Sequence, residues 1–167
     1  SFRGPCQMSD RFKAAVRELE ARVIMPDRPP SLLPTIEGLK NLNLKYDPKK
    51  VILVAGTNGK GSTSATLEAL LMRAGKRVGL YSSPHLIETT ERIRIQGQNV
   101  SYEKFCQAHD KIKVALPQKT LSHFEMLTLM ALEIFLNETP ALDFMIFEVG
   151  LGGTWDATNA IDHKTSV

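Results

Sequence analysis

With 167 residues, 43% of them apolar and 23% charged, and a net charge of +3, the chain has the composition of one ordinary globular domain, not of a fibre or a disordered tail. The small, scattered positive charge argues against a nucleic-acid partner. The apolar run "MLTLMAL" is broken by Glu133, short of the roughly 20 residues a membrane helix needs, so no membrane partner is expected.

Cys6 and Cys106 form neither a disulfide framework nor a metal-type spacing, which fits a reducing, cytoplasmic setting. Residues 1–8 show no periodicity and are expected to be a remnant or a disordered start, ahead of a domain over residues 9–167. Residues 9–24 predict an amphipathic helix with Phe12, Val16, Leu19 and Val23 on one face, ended by the prolines of "PDRPP". A second helix is expected over 31–44, then a polar turn at "DPKK". Residues 51–55 are β-branched and apolar on both faces, as in a fully buried strand. Residues 60–73 predict a helix with Leu67, Leu70 and Leu71 inward and Gly75 as its stop. "RVGLY" is the next strand, the loop "SSPHLIETT" follows, and "RIRIQG" alternates like an edge strand or hairpin arm. Helices are expected over 102–116 and 123–137, and a buried strand over 143–149. A glycine-rich loop, "GLGGTWDATNA", comes next, and "TSV" opens one more strand. This alternation predicts an α/β fold with a mostly parallel, doubly wound sheet.

The stretch "VILVAGTNGKGSTSATLEALL" joins a strand to a helix through a glycine turn, which makes an anion site: unpaired N–H groups and the positive helix end point at whatever binds there. It departs from G-x-x-x-x-G-K-[ST], since two residues separate Gly56 from Gly59 and Gly61 follows the lysine. Three glycines, Lys60 and the pair Ser62–Thr63 within eight residues still read as a phosphate loop. Lys60 supplies charge for the outer phosphates, and Ser62 or Thr63 can reach a magnesium ion. "DFMIFEVG" delivers Glu148 to the C-terminal strand edge, where a carboxylate can hold Mg²⁺ against nucleotide phosphates. Ser82 and Ser83 could add a metal or phosphate ligand. His85 reads first as a surface or packing residue and second as a catalyst. Phe124, opening a helix, is core or a stacking platform for a flat heterocycle.

Together, "VAGTNGKGST", "GLYSSPHL", "ERIRIQG", "FE" before a long helix and "EVGLGGTWDATN" resemble, in this order, the folylpolyglutamate synthase and dihydrofolate synthase family of the Mur ligase superfamily, over about residues 32–167. The resemblance implies ATP-dependent amide formation. ATP phosphorylates the carboxylate of dihydropteroate or a folate, and the amino group of L-glutamate displaces phosphate from the acyl phosphate. It implies ATP and Mg²⁺ as cofactors, small-molecule substrates as partners, and a monomer. Gly56, Thr57, Asn58, Gly59, Lys60, Gly61, Ser62 and Thr63 would cradle the nucleotide. Ser83 and Glu148 would ligand the first magnesium, with Lys60 and Glu148 as the catalytic pair. Ser122, Phe124, Asp156 and Ala157 would border the pterin, Asp156 on the ring edge and Phe124 stacked, with Arg92 a weaker candidate for an anionic part of the substrate. Thr154–Trp155 stand where relatives vary.

The family continues with a histidine for a second magnesium, a modified lysine and a C-terminal Rossmann-like domain, so this chain is expected to be an incomplete ATP-binding domain, inactive by itself. Two rivals are a peptidoglycan-type Mur ligase, which usually lacks Gly61 and "SSPHL", and a nucleotide-binding regulatory module without ligase chemistry.

Overall fold

The computed structural model describes residues 9–22, 31–116, 121–150 and 153–167. The expectations for residues 1–8, for the helix beyond Arg22 with Val23, for Pro26–Pro30, and for Leu151 and Gly152 lie outside the described residues.

Helix α1 (Asp10–Glu20) begins where the Ser9 hydroxyl accepts the Phe12 N–H, and it buries Phe12, Ala15 and Leu19. Helix α2 (Leu33–Asn41) is shorter than its apolar pattern. Asn43 adopts φ 51°, and the Leu44 N–H turns back to the Leu39 carbonyl, closing the helix early. The polar turn is a 3-10 turn over Pro48–Lys50, capped by the Asp47 carboxylate. Strand β1 (Val51–Val54) is buried on both faces and feeds α3 (Lys60–Arg73), which ends through Gly75 at φ 76°. Strand β2 (Val78–Tyr81) follows, then the hairpin β3 (Ile93–Ile95) and β4 (Gln98–Asn99), α4 (Tyr102–Ala115), α5 (His123–Leu136), β5 (Phe144–Glu148) and β6 (Thr165–Ser166).

The strands lie in the order β4-β3-β2-β5-β1-β6. β2, β5, β1 and β6 are parallel, and the β3–β4 hairpin forms an antiparallel edge. Ile52, Val54, Val78, Leu80 and Ile146 meet Leu67, Leu71 and Met72 of α3 on one face. Leu53, Tyr81, Met145 and Phe147 share the larger core of the other face with Phe105, Ile112, Leu127 and Phe135. The sheet is therefore covered by helices on both sides, the doubly wound arrangement expected.

Leu70 is a correction: expected inward, it is 60% exposed. The buried side of α3 is centred on Ser64 and Glu68, and at about 100° per residue Leu70 falls roughly 120° from Ser64. A polar pair at the centre of a buried face is invisible to an apolar pattern. Glu68 is held there by an ion pair with Arg94 of β3.

Candidate functional site

The site lies at the C-terminal edge of the parallel strands. β1 and β5 are neighbours with Val54 opposite Glu148, so the phosphate loop and the Glu148 carboxylate leave the sheet side by side. β2 flanks β5 on the other side with Tyr81 opposite Phe147, which brings Ser83 to the same edge. No sequence pattern gives this strand order; it follows from α3 carrying the chain past β5's position to β2.

The loop residues Ala55–Gly59 are exposed. Gly59 caps α3 at φ 76°, a left-handed conformation that glycine adopts without strain, and the Thr63 N–H returns to its carbonyl at 2.9 Å. The Lys60 ammonium donates to the Gly56 carbonyl at 2.9 Å, across the mouth of the loop. Ser62 and Thr63 are exposed in the first turn of α3.

Glu148 is 3% exposed, and its Oε2 has no hydrogen-bond partner. Burial pushes its carboxyl up, against a backbone hydrogen bond from Ser83 and the charge of Lys60. A Cβ on Gly61 would stand 3.8 Å from both carboxylate oxygens, so the bare glycine backbone of α3 faces them. A buried carboxylate oxygen without a partner, beside a serine and a phosphate loop, fits a hard divalent cation. Among the described residues no cluster of three or more His, Cys, Asp or Glu could hold a metal, so such an ion takes its other oxygens from Ser83, phosphate or water.

The remaining predicted residues surround the start of α5. The Ser122 hydroxyl accepts the Glu125 N–H, and the Glu125 carboxylate accepts the Ser122 N–H at 2.7 Å, a reciprocal cap that fixes where Phe124 emerges. The Phe124 ring is half-buried, its centroid 5.8 Å from that of the fully buried Tyr81. Asp156, 2% exposed, caps the 3-10 turn that opens with Ala157. Its Oδ1 accepts from the Thr158 N–H and hydroxyl, and its Oδ2 from the Gly150 N–H at 3.0 Å. Burial raises the Asp156 carboxyl, and these hydrogen bonds oppose the rise. Arg92 donates through Nε to Nδ1 of His85 at 2.8 Å.

Gly150 was not singled out by the pattern, yet it brings Phe124 and Asp156 together. A Cβ there would stand 2.5 Å from the Phe124 ring and 3.1 Å from Asp156 Oδ2. Tyr81 and Thr158 are the other unmarked participants, one beneath Phe124 and one holding Asp156. For Gly150 the only available signal was its place at the end of a buried strand.

No protein-family model matches the chain. It is 49% identical over 117 residues to the dihydrofolate synthase/folylpolyglutamate synthase of Escherichia coli (strain K12), covering 70% of this chain and 27% of that protein. A crystal structure of a bifunctional folylpolyglutamate synthase/dihydrofolate synthase with Mn, AMPPNP and L-glutamate bound superposes with a TM-score of 0.85 at 41% identity, covering 96% of this chain and 38% of that one. The chain belongs to the folylpolyglutamate synthase/dihydrofolate synthase family. E. coli FolC in complex with DHPP and ADP superposes with a TM-score of 0.84 at 39% identity, over 97% of this chain and 38% of that chain. The chain thus spans about a third of the length of the family members it matches. Described helices include none long and apolar enough to cross a membrane.

Proposed function

We propose that the protein carrying this chain is an ATP-dependent ligase that joins L-glutamate to dihydropteroate or to the glutamate tail of a folate, and that this segment binds the nucleotide, the metal and the ring end of the acid. The observation that supports it most is the pairing of Val54 with Glu148, which sets a phosphate loop against a buried, unpartnered carboxylate oxygen.

In this reading the amides of Gly56–Ser62 and the Lys60 ammonium hold the nucleotide phosphates. Lys60 leaves the Gly56 carbonyl for the outer phosphate, where it meets charge spreading during transfer. Glu148 and Ser83 hold the magnesium ion, which when bound supplies positive charge against the phosphoryl oxygens. An acid carboxylate oxygen takes the γ-phosphoryl group as the bond from the γ-phosphorus to the bridging oxygen breaks and ADP leaves. The glutamate nitrogen then attacks the carbonyl carbon, the C–O bond to phosphate breaks, and the amine proton passes to solvent or to the departing phosphate. Phe124 stacks on the pterin. Asp156 Oδ2, already accepting from Gly150, offers its remaining lone pair to the ring edge.

The family relationship favours this reading over a peptidoglycan-type ligase. A regulatory nucleotide switch is separated by measurement. ADP release by the full-length protein is expected only when both a pteroate-type acid and L-glutamate are present. Release indifferent to either would overturn the ligase.

A further inference from the structure

The loop joining β2 to β3 holds a polar pair, His85 and Arg92, of which the family resemblance gave a part only to Arg92, as a candidate for an anionic part of the substrate. Its base is closed by the Ser82 N–H on the Arg92 carbonyl at 2.9 Å. Its centre is tied by Glu91, whose carboxylate accepts the N–H groups of Leu86, Ile87 and Glu88 at 2.7, 2.9 and 2.9 Å. Glu88 in turn accepts from Thr90 and from the Tyr102 hydroxyl of α4. The loop is therefore preset, with Glu91 spent on its backbone. Within it, Arg92 Nε lies 2.8 Å from His85 Nδ1. A guanidinium only donates, so Nδ1 is the acceptor and the imidazole proton sits on Nε2. Among the described residues nothing accepts from that Nε2–H, and no carboxylate pairs with the Arg92 guanidinium. Burial, helped by the charge of Arg92, holds His123 at the start of α5 below the ordinary histidine value.

We propose that His85 and Arg92 together grip the carboxylate of the acid substrate, His85 through Nε2–H and Arg92 through its Nη groups, between the ring platform at Phe124 and the phosphate edge at Ser83. The inference rests on the ligase reading. Two donors set on a rigid loop match the two oxygens of a carboxylate, and the Arg92–His85 hydrogen bond fixes the tautomer that donates. The pair orients; no bond is made or broken on it.

The test compares the binding of pteroate with that of its methyl ester, by calorimetric titration of the full-length protein in the absence of ATP, wild type against His85→Ala and Arg92→Gln. Loss of one charge-assisted hydrogen bond is expected to weaken pteroate about tenfold or more. The ester, which lacks the charge, should change less than twofold, and so should the KM for ATP. Equal weakening of acid and ester, or no change in either, would overturn the proposal. Nitrogen-15 spectra of the wild-type protein give a second reading that needs no variant: a proton on His85 Nε2 is expected, and one on Nδ1 would overturn it. Wild-type protein without glutamate-dependent ADP formation would instead refute the ligase reading itself.

Discussion

Burial, with one carboxylate oxygen unpartnered, makes Glu148 a group whose cost depends on pH. The folded chain holds a proton on Glu148 more tightly than the unfolded chain does. Its contribution to folding is therefore fully present below the unfolded value and is lost as pH rises through the raised folded value, above which the ionised carboxylate opposes folding. Glu148→Gln is expected to raise the metal-free melting temperature at pH 7, by about 2–4 °C for each kcal/mol relieved. The difference should shrink below about pH 4, where both side chains are neutral. Calorimetry across that range checks it, and the same variant should lose the extra stability that Mg²⁺–nucleotide confers on the wild type. An unchanged melting curve at pH 7 would mean that the carboxylate is solvated. For Lys60→Ala in the full-length protein, ligation should fall by about 10²–10³, the worth of one preset donor or cation at developing charge. Activity within threefold of wild type would remove Lys60 from the mechanism. The positions of both residues at the strand edge could be read from the sequence because glycine spacing and strand-end position are local signals. The hydrogen bonds already held by Asp156 could not, since Gly150 reaches it only once the loop has turned back.

Elements meet closely where α5 crosses β2. A Cβ on Gly79 would stand 2.7 Å from the Phe135 ring and 2.8 Å from Leu142, both in the core. Gly79→Ala is expected to destabilise the fold by about 1–3 kcal/mol through overpacking, read from urea unfolding. Gly150→Ala collides with the half-buried tip of Phe124, which can swing. That change should cost less stability but raise the KM for the pteroate substrate more than that for ATP, and the two variants separate packing from site geometry. The elements themselves were largely legible: α3 matches its expected span, and β1, β2 and β5 differ from theirs by a residue or so at the ends. Ends failed where a backbone turn outcompeted an apolar pattern, as at Asn43. The inward face of α3 failed because Ser64 and Glu68, not leucines, occupy its centre.

At the scale of the molecule, the sequence predicts a parallel sheet but not the strand order that seats β5 between β1 and β2, because that order depends on contacts between distant segments. That order turns two separate motifs into one edge. The 167-residue chain is expected to bind Mg²⁺–nucleotide weakly in calorimetric titration, since helix-terminus anion binding is local. It is expected to show no glutamate-dependent ADP formation, because near-attack positioning and exclusion of water need more than one sheet edge. Turnover comparable to that of the full-length protein would show that this segment suffices. The full-length protein is expected to activate a carboxylate as an acyl phosphate at this edge. This activation is tested most directly by supplying pteroate-type acid labelled with oxygen-18 in its carboxylate, together with ATP and L-glutamate. One labelled oxygen should appear in the phosphate released with each amide formed. Unlabelled phosphate alongside amide formation would contradict the account.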